Sequence, residues 1–161
     1  MPKAVSTTLY AIHEGKAYAL TVQRANSKKW NRQLMFGAAG KPNQGETRPK
    51  AMIRELEEEL KIKPKEILKS IGIGKAKPKT RESLDFSSTF HLVQVSFQTL
   101  QRTAKRINKE PGKYHELRSA RIVQAKNLGK KLGLLQPHYK NMLPMIKHRL
   151  QKEKTMQRRR K

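Results

Sequence analysis

The chain has 161 residues, no cysteine, and 37 lysines and arginines against 12 acids, a formal charge of +25. That suits one domain with a real core plus an appendage, and it excludes a disulfide scaffold or a cysteine-based zinc site. No apolar run approaches the roughly 18 residues that span a bilayer. The opening Met1-Pro2-Lys3-Ala4-Val5 lacks the apolar segment of a secretory signal. The expectation is a cytoplasmic protein, off the membrane, whose surface attracts polyanions.

Ser6 to Ile12 reads as a strand, His13 to Lys16 as a turn, and Ala17 to Gln23 as the returning strand. Arg24 to Arg32 is polar around Trp30, the single tryptophan, and Gln33 to Phe36 is a short apolar segment. Gly37 to Gly45 is dense in turn residues and reads as a loop. A helix is predicted over Thr47 to Leu60, with Thr47 as N-cap and Pro49 in the first turn, where proline is tolerated. Met52, Ile53, Leu56 and Leu60 share one arc of that helix, the expected core-facing stripe, and Glu55, Glu58 and Glu59 share the neighbouring arc. Ile71 to Gly74 reads as a short strand and Lys75 to Glu82 as a basic loop. Ser87 to Gln98 is the clearest strand, Arg102 to Lys113 a basic loop, and Leu117 to Val123 the last strand. Asn127 to Leu135 is predicted as a short helix. Pro137 to Lys161 is a helix that loses its apolar positions after Leu150 and frays into the basic tail Gln157 to Lys161. The domain boundary implied is 1–135 for the globular part and 136–161 for a basic helix and tail, part docked and part frayed.

Five of the 12 acids fall between Glu46 and Glu59. Like charges that close on a helix repel by a few tenths of a kcal/mol per pair, about 0.2–0.5, so something offsets them. Two readings are open: a solvated helix face balanced by lysines, or a site for hard divalent cations, which take carboxylate oxygens.

A longer pattern runs through this region. Gly40, five residues, Glu46, seven residues, then Arg54-Glu55-Leu56-Glu57-Glu58-Glu59-Leu60-Lys61-Ile62 resembles the Nudix box. Every defining position matches except Lys61, which stands where the family has glycine. That glycine follows the helix as a left-handed cap, so the exchange touches no catalytic oxygen and costs about 1 kcal/mol if the conformation is kept.

The resemblance implies the Nudix fold, an α/β/α sandwich with a mixed curved sheet. It also implies a pyrophosphohydrolase acting on phosphoric anhydrides: a nucleoside diphosphate joined to another moiety, such as a nucleoside polyphosphate, a nucleotide sugar or an RNA 5′ end. The implied cofactor is Mg²⁺ or Mn²⁺, with Glu58, Glu59 and the Gly40 carbonyl as ligands. Glu55 is either a further ligand or the base that activates water, Arg54 orients a glutamate, Glu46 braces loop and helix, and Glu57 is solvated. In some relatives the base comes from a later loop, for which Glu116 and Glu110 are candidates here, with Glu82 and Asp85 behind them. His115 is a possible substrate contact. The histidines make no metal-ligand spacing, and Trp30 reads as core.

The box does not select the substrate. Lys75, Lys77, Lys79, Arg81, Arg102, Lys105, Arg106 and Lys109 fall on segments read as loops, and they favour a highly charged substrate. The alternative function is a Nudix-fold module that binds RNA or another polyanion through its basic surface with little catalysis. The nine aromatic residues form no stacking platform of the RNA-binding type, and the full set of box glutamates favours the enzyme.

Overall fold

In the computed structural model the described residues are 3–24, 34–76, 87–110, 117–130 and 137–160. The chain opens with β1 (Lys3–His13) and β2 (Lys16–Arg24), an antiparallel hairpin in which His13 pairs with Lys16. Its two-residue turn has positive φ at both Glu14 and Gly15, which matches the right-handed twist of the flanking strands. Two short strands follow, β3 (Leu34–Met35) and β4 (Ala39–Gly40), and then helix α1 (Arg48–Leu60). β5 (Lys69–Ala76) and β6 (Ser87–Gln94) lead into α2 (Phe97–Lys109), and β7 (Leu117–Gln124) precedes the terminal helix α3 (Pro137–Arg159).

Among the described residues seven strands form one mixed sheet in the order β3-β2-β1-β6-β5, with β4 on β1 and β7 on β2. β1 and β6 run parallel, from Lys3 opposite Ser87 to Tyr10 opposite Gln94, and the other pairings are antiparallel. A strand covered on both faces must be inward-compatible at every position. β1 meets that demand, because every residue from Ala4 to Ala11 is buried. The three helices pack against this sheet, and Leu9, Leu20, Phe36, Leu56, Phe90 and Ile146 are among the side chains closed off from solvent between the layers. Among the described residues no helix is long and apolar enough to cross a membrane.

Three sequence expectations are corrected. The strand predicted over Ser87 to Gln98 stops at Gln94, and the predicted loop Arg102 to Lys113 is helix α2 as far as Lys109. Ser96 caps that helix, its hydroxyl accepting from the Thr99 N–H at 3.0 Å. The inward face is Thr99, Leu100, Thr103, Ala104 and Ile107. Two threonines among five inward positions dilute the helical stripe, and that makes the segment look polar in sequence. The basic residues assigned there to loops are therefore helical. Arg102 pairs with Glu66, and Arg106 donates to the Leu60 carbonyl at the end of α1.

The second correction is local: of the helix expected over Asn127 to Leu135, Asn127 closes a 3-10 turn that starts at Ala125, residues 128–130 are turn and bend, and residues 131–135 lie outside the described residues. The third concerns the C-terminus. α3 is helical through Arg159 and stays docked well past Leu150. Glu153 is buried against Lys69 of β5, and Arg158 donates to the Gly15 carbonyl at 3.0 Å. Counting apolar positions alone overlooks an anchor made of a buried ion pair.

Candidate active site

Helix α1 positions the carboxylates. Thr47 stands at its N-cap in extended conformation without a side-chain cap bond, and its carbonyl accepts from the Ala51 N–H. Ala51, Met52, Leu56 and Leu60 face the sheet. At about 100° per residue that orientation turns the next arc toward the β4 end of the sheet. Glu55 and Glu59 are therefore buried, whereas Glu57 and Glu58 are exposed.

Arg54 is the hub. Its Nε donates to Glu46 Oε1 at 3.0 Å and its Nη2 to Glu46 Oε2 at 3.1 Å, a bidentate pair. Nη1 donates to Glu55 at 2.7 Å and to Glu58 at 3.1 Å, and Nη2 also reaches the Lys41 carbonyl at 2.9 Å. Glu46 in turn accepts from the Asn43 N–H at 2.8 Å and so closes the loop after β4. The Arg54 bonds, followed by the Asn43 amide, hold the Glu46 carboxyl below the usual range, and the Glu46 bonds raise the Arg54 guanidinium in return.

Glu59 sits deeper. Burial pushes its carboxyl up to about 7, against the opposing charge of Arg24, and the Glu55 charge pushes the same way. Its contacts are long: Arg24 Nη2 at 3.5 Å and the Ala39 N–H at 3.4 Å. Beside it, β4 brings Gly40 against Glu55. A Cβ added at Gly40 would fall 1.9 Å from Glu55 Oε1. At the helix end Lys61 takes the left-handed conformation expected of the cap, with φ 56° and ψ 34°.

A hydrogen-bond chain behind the site comes from residues the sequence did not single out. Tyr139 of α3 is fully buried, wedged edge-on against Phe36 and Phe90, and its hydroxyl donates to the Thr7 carbonyl at 2.7 Å. The Thr7 hydroxyl meets both the N–H of Ala38 (2.7 Å) and its carbonyl (2.9 Å). The adjacent Ala39 carries the N–H aimed at Glu59. Arg24, Thr7 and Tyr139 lie 31 to 132 positions from their partners, and no local pattern flags such contacts.

Among the other candidates, Glu110 ends α2, where its N–H donates to the Arg106 carbonyl. Trp30, Lys77, Lys79, Arg81, Glu82, Asp85, His115 and Glu116 lie outside the described residues. His13 stacks on Phe97, with ring centroids 4.3 Å apart.

A family model, NUDIX domain, matches residues 2–146. The chain belongs to the Nudix family. The match extends into α3 as far as the buried Ile146. No curated protein matches the chain. Among solved structures this Nudix chain is similar to a mutT/nudix family protein from Listeria innocua, with TM-score 0.73 and 17% identity over 96% of this chain and 97% of that one. It is also similar to NrtR from Shewanella oneidensis (0.67, 15%, 98% of this chain and 64% of that one) and to an Ap4A hydrolase from C. elegans (0.61, 16%, 93% and 98%). At these identities the likeness is one of fold.

The donor chemistry fits the divalent cation that the Nudix family generally uses. Glu55, Glu58, Glu59 and the Gly40 carbonyl are all hard oxygen donors. Four carboxylates, those of Glu46, Glu55, Glu58 and Glu59, meet two guanidiniums, those of Arg54 and Arg24. Full ionisation would leave two negative charges, the complement of one divalent ion. As they stand, no three acidic or histidine side chains among the described residues converge on one point. Glu55 and Glu58 are drawn to Arg54, and Glu59 faces Arg24.

Proposed function

We propose that this Nudix protein is a metal-dependent hydrolase of diphosphate linkages, acting on a nucleoside diphosphate joined to a second moiety. The observation that carries the reading is the single arginine, Arg54, holding Glu46, Glu55 and Glu58 beside the buried Glu59. A merely solvated acidic face would not bury two of its carboxylates. Among the fold neighbours, one is an Ap4A hydrolase and another is the NUDIX domain of NrtR in complex with ADP ribose. Both names support a nucleotide-type ligand.

Mg²⁺ or Mn²⁺ would be held by Glu55, Glu58, Glu59 and the Gly40 carbonyl. Bound there, the cation would neutralise phosphate oxygens and lower the pKa of a water. The protein's own groups supply the rest. Arg54 fixes the rotamers of Glu55 and Glu58 through charge-assisted bonds and ties them to the Glu46 loop. Glu55 serves either as a further ligand or as the base that takes the proton from the attacking water, and Glu116 is the alternative base. The Ala39 N–H and Arg24 hold Glu59 from the opposite side.

The test is Mg²⁺-dependent product release from a panel that includes a dinucleoside polyphosphate, ADP-ribose, a nucleotide sugar and a nucleoside triphosphate, with Glu58→Gln as the site control. Turnover of at least one substrate, reduced by two or more orders of magnitude in folded Glu58→Gln, is expected. Equal turnover in the variant would remove Glu58 from the site.

A further inference from the structure

We propose that the outward face of α3 binds the phosphate backbone of a nucleic acid, at a surface separate from the carboxylate site. At about 1.5 Å per residue the 23 residues of α3 make a rod of roughly 34 Å. The acid within it is Glu153, which is buried and held between Lys69 and Arg149. The solvent side of the helix is therefore free of negative charge along its whole length. Lys140, His148, Lys152, Arg158 and Arg159 are all exposed, and at about 100° per residue they fall within one arc of about 120°.

His148, Lys152 and Arg159 stand with Gln151, Thr155 and Met156 along this open face of the helix. From Lys140 to Arg158 the arc covers roughly 27 Å, the length of about eight base steps at ~3.4 Å each. Some cations elsewhere are paired, Arg54 with three glutamates and Arg102 with Glu66. Among the described residues Lys140, Lys152 and Arg159 have no ion-pair partner, and α3 concentrates them on one arc of a chain whose net charge is +25.

The chemistry favours a polyanion with regularly spaced phosphates over a lipid surface. A helix that lies in a membrane interface turns its apolar face outward. The apolar face of α3, with Tyr139, Met142, Ile146 and Leu150, is in the core. Only Met145 and Met156 are exposed large apolar residues of the helix, too little for insertion. The inference does not depend on the hydrolase reading, because none of these residues touches the carboxylates.

The experiment measures fluorescence anisotropy of a labelled 20-nucleotide single-stranded RNA, the matching RNA duplex and the matching DNA duplex, across a salt series. Sedimentation with phosphatidylserine vesicles runs in parallel. The wild type is compared with Lys140→Gln/Lys152→Gln/Arg159→Gln and with a control of equal charge loss elsewhere, Lys65→Gln/Lys105→Gln/Arg118→Gln. Circular dichroism checks the helix, which glutamine supports. The expected result is at least tenfold weaker nucleic-acid binding for the α3 triple and a salt slope flatter by about 2, from roughly 0.7 per lost single-strand phosphate contact. The control should change less than threefold, and the tighter of RNA or DNA identifies the source of the phosphates. Unchanged binding in the α3 triple, equal loss in both triples, or α3-dependent binding of vesicles without nucleic acid would each overturn the proposal.

Discussion

The carboxylate of Glu55 occupies the space that a side chain at residue 40 would fill: a Cβ on Gly40 would lie 1.9 Å from Oε1 and 2.0 Å from Cδ. The clash involves only the far end of a flexible side chain. Gly40→Ala should therefore cost little stability, within about 1 kcal/mol, as for substitutions that leave the core intact. It should displace Glu55 from Arg54 and lower kcat at least tenfold. Melting temperature and turnover measured on the same sample check the separation. A proportionate loss of both would mean that Gly40 matters to the fold and not to Glu55.

Lys61 pairs a left-handed backbone with a lysine side chain, whose Nζ donates to the Glu58 carbonyl at 2.9 Å. Lys61→Gly removes the Cβ penalty of that conformation and also an exposed hydrogen bond. The two partly offset each other, and a net stabilisation of up to about 1 kcal/mol is expected, with unchanged kcat. Denaturant unfolding at fixed pH checks it.

These two sites show how far the sequence could be read. The box fixed Gly40, Glu46, Arg54 and the glutamates because its spacing is local to one loop and one helix, and the strained cap at Lys61 followed from the same register. The helix stripe and the β1–β2 hairpin were legible for the same reason. α2 was missed because Thr99 and Thr103 stand at inward positions where the periodicity looks for apolar residues. Arg24, Thr7 and Tyr139 were missed because they join the site by tertiary contact alone. The depth of Glu153 was missed because a buried charge looks like a solvated one until its partner, 84 residues earlier, is seen.

Tyr139→Phe tests the chain behind the site. The ring contacts with Phe36 and Phe90 survive, and the lost bond leaves the Thr7 carbonyl without that donor in a dry environment. A destabilisation of about 1–2 kcal/mol is expected, typical of a buried hydrogen bond. Thr7 also clamps Ala38, so the variant should lower kcat more than it raises KM. Thr7→Val, which removes the clamp itself, should have the larger effect on kcat.

His91 on β6 sets a pH dependence. Burial first, then the Arg48 charge, lowers its pKa below the ordinary 6.5, and its Nε2 is buried without a hydrogen-bond partner among the described residues. A histidine that resists protonation when folded binds fewer protons than the unfolded chain just below pH 6.5. Stability should therefore fall as pH drops through 6.5 toward the depressed folded value, and be flat on this account above it. His91→Gln, which cannot titrate, should show a shallower loss of melting temperature between pH 7 and 5. Parallel curves for the two proteins would assign the acid sensitivity to other groups.

Glu153 decides how α3 is held. Its carboxylate is 5% exposed and lies 2.8 Å from Lys69 Nζ and 3.3 Å from Arg149 Nε, the second contact an ion pair without hydrogen-bond geometry. Tyr10, fully buried on β1, faces the same spot, and burial followed by the Glu153 charge keeps its phenol protonated. Removing the acid leaves two cations beside a closed core. Breaking a fully buried pair costs about 3–5 kcal/mol, and the Lys69 side chain is one-third exposed, so solvent recovers part of that. Glu153→Ala should then cost about 1–3 kcal/mol, and Glu153→Ala/Lys69→Met less than Glu153→Ala alone, since the stranded ammonium is gone. Chain ends separate the two anchors. Truncation after Lys154 removes the exposed Arg158 bond to Gly15 and should cost under about 1 kcal/mol. Truncation after Gln151 also removes Glu153 and should cost as much as Glu153→Ala or more. Equal melting temperatures for the two truncated chains would show that Leu150 ends the docked part of the helix and that Glu153 adds nothing to it.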